Sequence, residues 1–294
     1  MQGWLYDFDH FAVHDGKGIR TNVYFLGCSL RCKWCQSPES QPARPHLIRV
    51  PSRCIGCKAC RNRCPTGLTP SPQDQFEQEK CKSCGVCTKF CPVGAIWICG
   101  KQWSLEDALE EAAKDNVFFS NSGGGVTLTG GEVLMQPEFA IGMAKGLFKR
   151  GIDVLVETSG YGSFETLKTL ACYVSFYFDV KGRNDERHTQ NTGHSNQVIK
   201  INLQSLRKIT DKITLRVPLI PGINDSDEDL KRVYALANKL SLPVQLLPYN
   251  VSAAAKYEWI KKPYLLGQLS TQSTERLCEL VALAPKNVSV IVNK

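Results

Sequence analysis

Eleven of the fourteen cysteines of this chain fall into three tight runs. The first, CSLRCKWC, holds Cys28, Cys32 and Cys35; the others hold Cys54, Cys57, Cys60, Cys64 and Cys81, Cys84, Cys87, Cys91, each closed by a proline. Thiolates at this density are ligands for iron or zinc. Four of them close a four-iron cube, which then suits electron transfer. Three leave one iron open, and an open metal position can take a substrate, as a catalytic zinc does when it keeps a vacant site.

The second and third runs match the bacterial ferredoxin spacing, in which the fourth cysteine of each run serves the other cluster. One cube would take Cys54, Cys57, Cys60 and Cys91, the other Cys81, Cys84, Cys87 and Cys64. Zinc ribbons or knuckles need only pairs of cysteines and leave the triple spacing unexplained. A lone zinc at the first run would lack a nearby fourth ligand. Thr129-Gly130-Gly131-Glu132 directly follows a predicted strand, where ligands gather in parallel α/β folds and glycines let the backbone approach them closely. Alone, this sequence is a turn as often as a site.

These residues need a scaffold. Residues 21–26 (TNVYFL) read as a strand whose C-terminal end delivers the three-cysteine loop at Gly27-Cys28. From about Ala43 to Gly100 the chain is rich in cysteine, proline and lysine and poor in aliphatic residues. That span is expected to build no core of its own and to be held by its clusters, whose ligation free energy is then folding free energy. From Ser104 strands and helices alternate. Ser104 and Asp107 open a helix through Ala113; helices follow over 137–149, 163–171, 197–209, 225–240 and 271–284. Strands are predicted over 126–129, 153–158, 174–180, 212–220 and 244–249. Strands rich in Val, Ile, Leu and Phe, each followed by a helix, indicate a parallel sheet covered by helices, and six of them suggest a barrel or part of one.

At 294 residues and 43% hydrophobic content the chain fits one large domain plus a small one, with no need of disulfide staples. The net charge of +8 comes from 36 basic and 28 acidic residues spread along the chain, so no nucleic-acid partner is expected. The N-terminus lacks the basic start and apolar core of a signal peptide, and no stretch approaches the ~20 apolar residues of a membrane helix. The expectation is a cytoplasmic protein with no membrane partner, where dense cysteine means metal ligation. Cys99, Cys172 and Cys278 lack partners at ligand spacing and read as buried small hydrophobes. The five histidines have no acid or second ligand beside them in sequence and read as structural.

With three residues between its first two cysteines and an aromatic residue, Trp34, before its last, the first run resembles the signature of the radical S-adenosylmethionine superfamily. Further stretches resemble one branch, the activating enzymes of glycyl radical enzymes, whose best known member serves pyruvate formate-lyase. Residues His14 to Arg20 (HDGKGIR) are similar to that branch's DGPGIR element, with Lys17 where proline is usual; Asn121 to Thr127 (NSGGGVT) is similar to the approach to its GGE. Glu157-Thr158-Ser159-Gly160, Asp179-Val180-Lys181, Arg216 to Gly222 (RVPLIPG) and Leu246 to Asn250 (LLPYN) follow in the family's order. The two complete cysteine runs lie where a subgroup carries a two-cluster ferredoxin insert.

The resemblance implies an α/β fold: a partial (β/α)6 TIM-like barrel over residues 1–44 and 101–294, interrupted by a bacterial-type 2[4Fe-4S] ferredoxin domain at 45–100. It implies three [4Fe-4S] clusters, with S-adenosylmethionine chelating the open iron of the cube at Cys28, Cys32 and Cys35. Reductive cleavage of that cofactor would yield a 5'-deoxyadenosyl radical that takes the pro-S hydrogen from a backbone glycine of a partner glycyl radical enzyme. No catalytic side chain beyond cluster and cofactor is required. Cofactor contacts are implied for Trp34 at the adenine, Gly130, Gly131 and Glu132 at the methionine amino group, and for Cys35, Gln36, Asp179, Val180, Lys181 and Asn250. Glu157 and Thr158 would sit on the adjacent strand end, and Asp15 would face the partner's glycyl loop. Many members carry histidine where this chain has Asn250, which can hydrogen-bond but cannot titrate near neutrality. Flavodoxin or ferredoxin is the implied electron donor, and the chain is expected to be a monomer. Two alternatives stay open: a radical enzyme acting on a small molecule or another peptide, and a non-catalytic carrier of three clusters.

Overall fold

The computed structural model describes residues 1–182 and 184–293. Along them run β1 (Gln2–Ala12), β2 (Arg20–Phe25), β3 (His46–Arg49), β4 (Ile96–Cys99), β5 (Lys101–Ser104), α1 (Leu105–Ala112), α2 (Asn116–Ser122), β6 (Gly125–Gly130), α3 (Pro137–Lys149) and β7 (Asp153–Thr158). Then follow α4 (Phe164–Leu170), β8 (Ser175–Asp179), α5 (Asp185–Thr192), α6 (Gln197–Arg207), β9 (Ile213–Pro218), α7 (Asp227–Leu240), β10 (Val244–Leu247), α8 (Ala253–Trp259), α9 (Thr274–Ala282) and β11 (Val290–Val292). Nine strands form one sheet in the order β11-β10-β9-β8-β7-β6-β2-β1-β5, while β3 and β4 pair only with each other.

Neighbours from β2 across to β11 are parallel, and β1 joins antiparallel to β2 and β5. The parallel part thus has seven strands rather than six, and β1 and β5 widen the sheet. Parallel pairing sends the C-terminal ends of β2 and β6 to β10 to one edge, where ligands bind in folds of this kind. The sheet also curls: Asn293, just past β11, donates to the His14 carbonyl at 3.1 Å, next to the loop that enters β2.

Local chemistry explains the strongest elements. Pro137 starts α3, whose Phe139, Ala140, Met143, Ala144 and Leu147 recur at helical spacing and are buried. Ser104 caps α1 by accepting from the Asp107 amide at 3.1 Å. Val154, Val156, Phe176, Phe178, Leu215 and Val217, from β7, β8 and β9, join the main core. Buried Arg20 locks β2 to its neighbours, donating to Thr127 Oγ1 at 2.7 Å and to the Val126 carbonyl at 2.8 Å.

The cysteine-rich span does have a small apolar core, contrary to expectation. Leu47 of β3 and Ile96 of β4 pack with Cys60, Cys87, Phe76 and Ile98. On the other side Ile48, Val50 and Cys99 pack against Leu26, Trp4, Trp97 and Trp259. Cys99 is buried, but Cys172 and Cys278 are exposed, correcting the reading of all three as buried. Cys278 lies on α9, whose buried residue is Leu280. His10 reaches Asp115 across the chain at 2.7 Å, a pairing that sequence proximity could not reveal.

Candidate active site

The three-cysteine loop leaves β2 through Gly27, whose φ of +101° suits glycine. Gly27 N–H donates to the Ser40 carbonyl at 2.7 Å and Cys28 N–H to the Gln41 carbonyl at 3.1 Å. On the far side, Arg31 N–H and Lys33 N–H donate to the Thr192 and Asn191 carbonyls, at 2.7 and 3.0 Å, at the C-terminal end of α5. Helix ends expose unpaired carbonyls, so this contact satisfies both partners. Trp34 is 4% exposed and packs on Ile220 and Tyr249.

The turn after β6 is pinned to the same loop. Gly131 N–H donates to the Phe25 carbonyl at 2.9 Å and Glu132 N–H to the Gly27 carbonyl at 2.8 Å. A Cβ on Gly131 would stand 2.3 Å from the Gly27 oxygen. Glu132 is 2% exposed. Its carboxylate accepts from Thr158 Oγ1 at 2.6 Å, Ser159 N–H at 2.9 Å, Ser159 Oγ at 2.5 Å and Leu134 N–H at 3.2 Å. Burial pushes this carboxyl up, against the opposing pull of its Ser159 and Thr158 donors. Glu132 therefore ties the end of β6 to the end of β7. Glu132→Ala strands the buried Ser159 and Leu134 amides and is expected to cost about 3 kcal/mol, seen as a lower anaerobic melting temperature; an unchanged melt would contradict this role.

At the next strand ends, Lys181 Nζ lies 2.6 Å from Asp179 Oδ2, and both side chains are mostly buried. Burial opposes the Lys181 charge, but Asp179 and the nearby Cys32 thiol raise its pKa overall. Glu157 accepts from Thr129 Oγ1 at 2.6 Å and pairs with Arg216 of β9. Arg216 also lies 3.7 Å from Asp15 and stacks over Tyr177. Gln36 Nε2 donates to the Asn250 carbonyl at 3.1 Å, while Asn250 Oδ1 accepts from Ser252 N–H. The Val180 side chain joins the core rather than this wall.

These parts line an open cavity of about 810 Å³. Its walls carry Cys28, Cys32, Cys35, Trp34, Gln36, Gly130, Gly131 and Glu132, and beyond them Asp15, Glu157, Asp179, Lys181, Arg216, Tyr249 and Asn250. That volume suits a nucleoside-sized ligand. The three thiols crowd one another: burial, with Glu132, Cys32 and Cys35 acting in the same direction, pushes Cys28 up to about 12. Ionising such a set requires a cation among the sulfurs, which an iron cube supplies. Sequence reading passed over Tyr257, whose hydroxyl lies 3.5 and 3.4 Å from the Cys32 and Lys33 carbonyls, and the Arg216–Glu157 pair.

In the cysteine-rich span, burial raises the Cys60 thiol, with Cys91, Cys54 and Cys57 as neighbours raising it further. Burial likewise takes Cys87 up to about 11, with Cys81, Cys84 and Cys64 beside it. Both groupings are crossed between the two runs. Among the described residues no three His, Cys, Asp or Glu side chains converge as ligands of a single ion. In a cube each thiolate binds a different iron, so such convergence is not required.

The family described as the radical SAM superfamily matches residues 83–233, and a 4Fe-4S binding domain matches 47–68. The isethionate sulfite-lyase activating enzyme of Oleidesulfovibrio alaskensis is 36% identical over 277 residues, covering 91% of this chain and 90% of that protein. The trans-4-hydroxy-L-proline dehydratase activating enzyme of Clostridioides difficile is 37% identical over 279 residues, covering 92% of each. The chain belongs to the activating enzymes of glycyl radical enzymes, within the radical SAM superfamily. A radical SAM methyltransferase from Sphaerobacter thermophilus shares the fold, with a TM-score of 0.52 at 16% identity over 98% of this chain and 76% of that one. Among the described residues no helix is long and apolar enough to cross a membrane.

Proposed function

We propose that this activating enzyme binds three [4Fe-4S] clusters and S-adenosylmethionine and installs a radical on a backbone glycine of a partner glycyl radical enzyme. When bound, the open cube supplies the electron that cleaves the sulfonium cofactor to methionine and the 5'-deoxyadenosyl radical, which takes the glycine hydrogen. Cys28, Cys32 and Cys35 hold that cube. Cys54, Cys57, Cys60 and Cys91 hold a second, and Cys81, Cys84, Cys87 and Cys64 a third. The curled sheet is read as a partial (β/α)6 barrel over residues 1–44 and 101–294, with a ferredoxin-type insert at 45–100.

Because the Glu132 carboxylate is occupied by Thr158 and Ser159, the methionine amino group falls to the backbone around Gly130 and Gly131. Asp179 and Lys181 flank the methionine or ribose end, and Trp34, Gln36, Tyr249 and Asn250 line the adenine end. Val180 ties the end of β8 to β9, its amide donating to the Arg216 carbonyl at 2.7 Å. Asp15, held by Asn22 Nδ2 at 2.7 Å, faces the partner's glycine-bearing segment. Flavodoxin or ferredoxin is the proposed electron donor.

The observation that carries this reading is the meeting of an incomplete thiol set with the ends of five parallel strands in a single cavity. Two relatives of nearly equal identity are named for different enzymes, a sulfite-lyase and a dehydratase, so the partner is proposed only as a glycyl radical enzyme. Anaerobic protein is expected to hold about twelve irons, four in each of three cubes, and S-adenosylmethionine is expected to alter the paramagnetic resonance signal of one reduced cube alone. Zinc in place of iron, or no response to the cofactor, would overturn the reading.

A further inference from the structure

Helix α8 stands between the cysteine-rich span and the three-cysteine loop. On one side, Trp259 meets Trp97 of β4 edge to face, with ring centroids 5.7 Å apart. Trp259 and Ile260 also pack on Ile48, Val50 and Cys99 of the cysteine-rich span. On the other side, Lys256 Nζ pairs with Glu39 at 2.7 Å. Glu39 is 7% exposed and neighbours Ser40 and Gln41, whose carbonyls anchor Gly27 and Cys28. At the next position, the Tyr257 hydroxyl reaches the Cys32 and Lys33 carbonyls, and its ring lies against Tyr264.

A helix of seven residues is far too short to be stable by itself. Its order derives from its two contact surfaces, so loosening one must loosen the other. Trp97 in turn is fixed from the insert side: Arg53, the residue before Cys54, stacks over it, and Ala95 two residues earlier donates to Cys91 Sγ at 3.1 Å. The contacts therefore run from the surroundings of one complete cysteine set, through α8, to the backbone that presents the incomplete set.

We infer that α8 is a strap by which the insert positions the reactive loop, with Trp259 as its anchor and Lys256 and Tyr257 as its grips on the loop. This deepens the proposed function and rests on the assignment of Cys28, Cys32 and Cys35 to the cofactor-binding cube. It gives the insert a role that requires no electron to pass through it. These three residues act through others and are positioning residues.

Trp259→Ala should keep its insert iron and the insert's resonance signals. Amide exchange across residues 28–40 should become faster, and S-adenosylmethionine affinity, read by titrating the signal of the open cube, should fall about tenfold, as for losses of groups that orient metal ligands. Trp259→Phe should restore most of both. Should the alanine variant lose its insert clusters, Lys256→Met reads the loop grip with Trp259 and its contacts to Trp97 left in place, with the same exchange and affinity changes expected. Unchanged exchange and unchanged affinity in these variants would overturn the strap. Faster exchange in a protein whose wild type ignores S-adenosylmethionine would keep the strap and overturn the assignment of the loop to that cofactor.

Discussion

Cys32→Ala is expected to abolish 5'-deoxyadenosine formation while leaving the insert clusters in place. The open cube has only three protein ligands, so removing one leaves two, with none in reserve. Burial drives the Cys32 thiol up to about 12 while Lys181 beside it pulls the other way. Such a thiol ionises only with cationic iron in place, so its role is ligation rather than free reactivity. Iron should fall by about four per chain, and the spectrum of the insert should persist. Retention of all the iron, with product still formed, would remove Cys32 from the ligand set.

The second large effect is expected from Gly131→Ala. The new methyl group would meet the Gly27 oxygen at 2.3 Å and the Ser40 oxygen at 3.2 Å, both backbone atoms. The turn after β6 and the start of the cysteine loop cannot both keep their places. Because Gly27 directly precedes Cys28, the displacement reaches cube and cofactor together. A shift of the order of 1 Å between reacting groups costs about a hundredfold in rate, and that loss is expected in single-turnover cleavage of S-adenosylmethionine, with the fold retained by circular dichroism. A rate within a factor of two of wild type would show that the close approach is dispensable.

Much of the scaffold was legible because its signals are local. Pro137 and the apolar spacing after it define α3 to the residue, and the run Asp153 to Thr158 defines β7. Elements missed by pattern have weak patterns. Helix α5 (DERHTQNT) buries only His188 and Thr192, and β3 and β4 have four residues each, too few to show a period. Strand β1 is half exposed and mixes aromatic with acidic residues, so it reads poorly as a strand until β2 and β5 flank it.

The site divided the same way. Cysteine spacing, Gly130-Gly131 and the Asp179–Lys181 pair are written in short stretches of sequence. The Arg216–Glu157 pair depends on the placement of β9 relative to β7, two strands apart in the sheet. The engagement of Glu132 by Ser159 depends on which way two loops turn after their strands. Tyr257 lies 225 positions from Cys32. Such pairings are properties of packing, and no window along the chain contains them.

The central claim is that the cavity delivers a radical to a glycine in another protein. It is tested most directly by incubating the iron-loaded enzyme anaerobically with S-adenosylmethionine, a low-potential reductant and purified candidate glycyl radical enzymes, and recording the electron paramagnetic resonance spectrum. The expected result is a glycyl doublet on one partner, with 5'-deoxyadenosine formed alongside it and neither present in the Cys32→Ala reaction. Continuous turnover of a free small molecule, with no doublet on any partner, would contradict it.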